Sequence, residues 1–183
     1  MEVVKENMIQ DIFDTHVSLI VAPDRGKLEE SLYKILALAE EKGFMSIYVS
    51  STVPGANIRA ICDDKQLKKT VIIDTISRQL SGTETPKEVK DCMFCNSPED
   101  LTSLHMQISS ALNDGDNALI IIDSITTFLI YNSQNSMLRF IHSLSSLARE
   151  KSAKAVFFMM QTNKINEKFF EDLQGLTDKV FKL

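Results

Sequence analysis

Residues 18–36 read SLIVAPDRGKLEESLYKIL. An apolar run, a short connection and then Leu32, Ile35, Leu36 and Ala39 at helical spacing give a strand, a tight turn carrying Gly26 and Lys27, and an amphipathic helix. This is the context in which a phosphate-binding loop of pattern G-x-x-x-x-G-K-[ST] occurs. In such a loop backbone N–H groups wrap the phosphates, the lysine reaches the terminal phosphates and the hydroxyl holds Mg²⁺. Here the pattern is half met, with Val21 at the first glycine and Leu28 at the hydroxyl. Asp24 adds a carboxylate inside the anion nest, where two unit charges 4 Å apart repel by about 4 kcal/mol at an effective dielectric of about 20.

Outward from this stretch, short apolar runs alternate with longer helical patterns, which predicts a three-layer α/β/α fold on a mainly parallel sheet. The strands fall at Val17–Ala22, Met45–Ser50, Thr70–Asp74, 91–95, Ala118–Asp123 and 155–160. Several are apolar without alternation, as strands covered on both faces are. Right-handed crossovers put the strand ending at Ala22 in the middle of the sheet, next to or one removed from the strand ending at Asp123. The first long helix stops at Gly43. A second is signalled by NSPEDL, with Ser97 as cap, Pro98 at the first helical position and Asp100 facing the free amides. A third carries Met137, Phe140, Ile141, Leu144, Leu147 and Ala148 at spacings of three and four. The polar stretch 78–90, with Gly82 and Pro86, reads as a surface loop, and LTDKVFKL near the end as a short edge strand.

The 183 residues, 44% of them hydrophobic, suffice for one well-buried core, so a single domain over 1–183 is expected. A formal net charge of −5 with scattered basic residues lacks the electrostatic footprint of a nucleic-acid binder. The tightest basic cluster, Lys65, Lys68 and Lys69, is offset by Asp63 and Asp64 and reads as a solvated face. No apolar run nears the roughly 20 residues of a membrane span. Three cysteines and no signal-like start point to a reducing, cytoplasmic setting.

A second constellation is NALIIIDSITTFLIYN, an apolar strand ending in Asp123. An aspartate there binds the Mg²⁺ shell in P-loop enzymes, and it equally suits any strand that must exit into water. The unusually apolar TTFLIYN that follows starts a buried helix or forms an exposed patch for a partner. In CMFC, Cys92 and Cys95 lie three apart on a strand and point to opposite faces, which favours buried structural thiols over a shared zinc or a disulfide. No metal site is expected. His16, His105 and His142 belong to no local triad-like motif.

SLIVAPDRGK, MSIYVSST, CNSPEDLTSL, ALIIIDSITTFLIYN and AVFFMMQT follow one another as in the RecA/KaiC superfamily of P-loop ATPases, and the chain resembles its small, divergent KaiC-like members, found mainly in archaea. The resemblance implies a RecA-like sheet. It also implies a vestigial or weak nucleotide site made of Gly26, Lys27, Asp123 and Ser124, with Gln161 at the place of a polar sensor. The superfamily's catalytic glutamate after the second strand is replaced by Ser50, Ser51 and Thr52, and hydroxyls are poor general bases at neutral pH. With metal hydroxyl, first glycine and base all replaced, no catalytic residue is assigned and ATPase activity is expected to be absent or very weak, ATP and Mg²⁺ being at most weak ligands. The expectation is a non-hydrolytic regulatory or protein-interaction module, with a protein partner or a homo-oligomer and no nucleic acid or membrane. The alternative is a genuine ATPase whose site a partner subunit completes.

Overall fold

The computed structural model describes residues 6–80, 87–112, 117–162 and 165–183. Of the expected surface loop 78–90, residues 81–86, Gly82 and Pro86 among them, lie outside these, and 78–80 are helical rather than loop. In chain order the elements are α1 (Glu6–Asp14), β1 (Val17–Ala22), α2 (Arg25–Glu41), β2 (Met45–Ser50), α3 (Gly55–Asp64), β3 (Thr70–Asp74), α4 (Ser77–Leu80), β4 (Cys92–Phe94), α5 (Leu101–Ala111), β5 (Ala118–Asp123), α6 (Ile125–Tyr131), α7 (Gln134–Glu150), β6 (Lys154–Met160), α8 (Glu167–Gly175) and β7 (Lys179–Lys182).

The strands form one parallel sheet in the order β4-β3-β2-β5-β6-β1-β7. Period-two alternation splits each inner strand between two cores. Leu19, Val21, Ile120 and Ile122 face α5, α6, α7 and α8, while Ile20, Ala22, Leu119 and Ile121 face α1, α2 and α3. β1 is one strand removed from β5, as expected, but it is not in the middle: β5 is central and β1 is next to the β7 edge. Both strands are buried at every position, so their apolar runs report cover on two faces and not rank in the sheet.

α2 buries Leu28, Leu32, Ile35, Leu36 and Ala39, the expected face, at about 1.5–3 kcal/mol per large side chain. It ends at Gly43, whose φ of 81° lets its N–H reach Glu40 O (3.1 Å) while Phe44 N reaches Ala39 O (2.8 Å). That pairing is a Schellman motif. The cap of α5 is a correction. Asp100, not Ser97, accepts from Ser103 N at 2.9 Å, and Pro98 lies in the turn before. Asp and Ser cap equally well, and the buried Leu104 and Ile108 fix which turn becomes helical. β4 is shorter than expected because Asp91 takes φ 51°. Cys95 packs into the core under α5 and Cys92 into the other, on opposite faces as their spacing requires.

Candidate functional site

The C-terminal ends of β1, β2 and β5 open where α2 and α6 begin. There the connection after β1 is only Pro23 and Asp24, because α2 already starts at Arg25. Gly26 and Lys27 are therefore in the first helical turn and not in the tight turn the sequence predicted. The cause is Asp24: extended at φ −151° and ψ 171°, it caps α2, its Oδ1 accepting from Lys27 N at 2.9 Å. A helix N-terminus leaves free N–H groups that attract anions, and this one holds a carboxylate of its own chain. Val21 is buried within β1 and Leu28 is fully buried in α2, so both departures from the loop pattern are core residues.

Asp123 ends β5, opposite Ser50 of β2, and is fully buried. Arg25 grips it in a fork: Nη1 donates to Oδ1 at 2.7 Å and Nη2 to Oδ2 at 3.0 Å. Tyr48 Oη donates to Oδ2 at 2.7 Å, and Arg25 Nε donates to Glu29 Oε1 at 2.8 Å. Planar bidentate pairing of this kind is among the strongest hydrogen-bonded arrangements available to a carboxylate. Burial alone disfavours the charged guanidinium, yet its bonds and charge interaction with Asp123 outweigh this and hold Arg25 protonated beyond its ordinary range. Tyr48 is pushed well above the usual phenol range, first by burial and then by the Asp123 charge. The place beside this strand-end aspartate is thus filled by one guanidinium bridging Asp123 and Glu29.

The main chain at Asp123 is pinned as firmly. Ser51 Oγ donates to Asp123 O at 2.7 Å and accepts from Ser124 N at 3.0 Å, while Ser50 Oγ donates to Val53 O at 2.7 Å. These hydroxyls, standing where the resemblance implies a water-orienting glutamate, are committed to backbone. The Asp123–Ser124 peptide is cis.

Of the residues assigned from sequence, Asp123 and Ser124 are together at the end of β5, with Ser124 Oγ 3.2 Å from Thr127 Oγ1. Lys27 turns along its own helix, its Nζ donating to Glu30 Oε2 at 3.0 Å. Gln161 is exposed after β6, its N–H donating to Ala22 O at 2.8 Å. Sequence reasoning missed Arg25 and Tyr48. The available signal was Tyr48 itself, a phenol within the apolar strand MSIYVS, whose buried hydroxyl needs a partner. A bound Mg²⁺ nucleotide does not fit this donor set: the helix begins before a wrapping loop can form, Leu28 offers no oxygen, and both Asp123 oxygens are engaged.

The neighbouring strand end carries a second buried carboxylate. Asp74 Oδ2 accepts from Gly55 N at 2.6 Å, and Oδ1 accepts from Ile76 N and Ser77 N, both at 2.9 Å. It caps α3 and α4 at once. A Cβ at Gly55 would lie 2.5 Å from Cys92 Sγ, so glycine is required for this approach. Burial, and next the Asp74 charge, push the Cys92 thiol up to about 12. Among the described residues no group of three or more His, Cys, Asp or Glu side chains is placed to hold a metal ion, and no helix is long and apolar enough to cross a membrane.

Two solved structures share this architecture. The KaiC-like protein PH0186 from the hyperthermophilic archaeon Pyrococcus horikoshii superposes with a TM-score of 0.59 at 11% identity, over 92% of this chain and 70% of that one. The uncharacterized protein PH0321 of the same organism, crystallised with an unknown peptide, gives 0.66 at 12% identity, over 92% of this chain and 77% of that one. At such identities the likeness is one of fold, and the fold is RecA/KaiC-like. No curated protein matches the chain. A family model does: that of the Elongator subunit Iki1 matches residues 32–158, spanning α2 to β6. The chain belongs to the Elongator subunit Iki1 family.

Proposed function

We propose that this chain is a RecA-fold subunit that does not turn over nucleotide and acts by holding protein partners in a larger assembly. The observation that carries the reading is the buried fork of Arg25 on Asp123. The carboxylate that would face a metal shell is neutralised inside the chain, and Asp24 fills the helix N-terminus where a phosphate would sit. The family's description as an Elongator subunit supports a place within a complex, and a structural neighbour crystallised with a peptide supports protein contacts for this type of fold.

The test is phosphate release from ATP with Mg²⁺, compared with Lys27→Ala. Without a metal hydroxyl or a base there is little transition-state stabilisation for Lys27 to add to, so parent and variant are expected to give the same background rate. Turnover near about 1 per second, the low end for phosphoryl-transfer enzymes, lost in Lys27→Ala, would overturn the proposal in favour of an ATPase completed by a partner subunit.

A further inference from the structure

The two helical layers differ in charge. In α2, on one face of the sheet, seven of the 17 residues RGKLEESLYKILALAEE are charged, and its Arg25, Lys27 and Lys34 pair with Glu29 and Glu30 or with Asp123. On the other face α5 reads LTSLHMQISSA, with no charge in 11 residues, and α7 carries only Arg139 before Arg149. α5 and α7 lie side by side, joined by His105 Nε2 and Ser143 Oγ at 2.9 Å, and a groove of about 530 Å³ runs between them. Met106 stands in it at 67% exposure. A solvated helix pair normally carries the mixed charges seen on α2. Depletion of charge with a proud methionine and a lone arginine is the composition of the middle of a protein interface.

We infer that the α5–α7 face is a docking surface for a second copy of this chain. The argument for that occupant is charge complementarity. The groove has one exposed acid, Glu99, beside the start of α5, and one exposed base, Arg139, on α7. Among the described residues neither side chain has a hydrogen bond or ion pair, Glu99 bonding only through its backbone, its N–H donating to Ser97 Oγ at 3.2 Å and its carbonyl accepting from Leu101 N at 3.0 Å. A two-fold contact places each residue against its counterpart's partner, so two copies satisfy both charges twice, with the Met106 side chains closing the middle. An 11-residue helix is about 16 Å long, and two adjacent helices about 20 Å wide. The footprint is therefore a few hundred Å² per copy, at the low end for specific contacts, which predicts a weak, reversible dimer.

The inference deepens the interaction-module reading and rests on it for its biological sense, but the measurement is separate. Sedimentation velocity from about 5 to about 500 μM should show the parent passing from monomer to dimer with a dissociation constant in the micromolar range. Arg139→Glu should weaken association about tenfold or more, Met106→Lys likewise, and Glu99→Arg combined with Arg139→Glu should restore it to within a few-fold of the parent. These positions are on the surface, and each variant is first checked for the parent's far-ultraviolet circular dichroism and melting temperature. A parent that stays monomeric throughout overturns the dimer, and leaves the closed-crevice reading to be decided by phosphate release. A dimer indifferent to all three variants overturns this face as its interface.

Discussion

At the scale of single residues, the Arg25 fork makes a stability claim as well as a functional one. Removing one partner of a buried ion pair leaves an uncompensated charge, which costs about 3–5 kcal/mol, whereas replacing the whole set by apolar groups is often near neutral. Arg25 keeps 31% of its side chain exposed, so Arg25→Ala is expected at the lower end, about 3 kcal/mol. With a urea m-value of about 2 kcal/mol/M this moves the midpoint down by about 1.5 M. Arg25→Met with Tyr48→Phe and Asp123→Leu should lose less than the single variant. An Arg25→Ala midpoint unchanged from the parent would mean that Asp123 is solvated and the fork is not holding the crevice. Cys92 gives an independent readout of its surroundings. A thiol held near 12, first by burial and then by Asp74, is almost wholly protonated at pH 8, and the thiolate is the reactive form. Native protein should therefore alkylate at Cys92 far more slowly than urea-unfolded protein, and Asp74→Asn should speed the native reaction if the variant still melts cooperatively.

At the scale of elements, β7 is an edge strand of four residues whose attachment depends on Asp178 just before it. Its Oδ2 accepts from Val17 N at 2.8 Å and His16 N at 3.1 Å, and its Oδ1 from Arg149 Nη2 at 2.8 Å, tying β1, β7 and the end of α7. Burial acts to raise the Asp178 pKa, but Arg149 and the two backbone N–H groups outweigh it and the net direction is down. A depressed carboxylate stabilises the fold above its unfolded pKa, about 3.9, and that contribution fades as pH falls through the folded value. Asp178→Asn should thus lower the melting temperature at pH 7, by the equivalent of about 1 kcal/mol for so exposed a group, and the gap to the parent should narrow below about pH 4. A gap independent of pH would assign the loss to packing. This edge also shows what was legible beforehand. The faces of β1, α2 and α7, the stop at Gly43 and the short strand at 179–182 are local patterns and could be read along the chain. The Arg25 fork could not, because its partner lies 98 residues away, and nothing in the spacing of arginines and aspartates says which will meet. Nor could the start of α2 be read from Gly26 and Lys27, since the cap at Asp24 competes with the loop at the same place.

At the scale of the whole molecule, the net stability of a domain is about 5–15 kcal/mol, small enough for a few core positions to decide whether the chain folds. This bears on the idea that the phosphate loop has merely decayed and is recoverable by restoring its pattern with Val21→Gly, Asp24→Gly and Leu28→Thr. Leu28 is fully buried under the sheet and Val21 is 8% exposed within β1, between β6 and β7. Leu28→Thr removes apolar contacts and buries a hydroxyl, and Val21→Gly removes an isopropyl group from a strand and adds backbone freedom; each costs about 2–4 kcal/mol. Asp24→Gly adds only a few tenths, since glycine is a tolerable cap. The sum, about 4–8 kcal/mol, is comparable with the stability of the whole fold, so the triple variant should melt at least about 8 °C below the parent or fail to fold. For the same reason calorimetry should find no gain in Mg²⁺-dependent ATP affinity, whereas Asp24→Gly alone should fold and still bind no better than the parent. A triple variant that melts cooperatively near the parent and binds ATP more tightly would show that β1 and α2 can re-form a wrapping loop, and that the closed crevice is a replaceable feature of this sheet. If it does neither, the positions that depart from the loop pattern are the positions that hold α2 on the sheet, and the chain's stability and its closed crevice have a common cause.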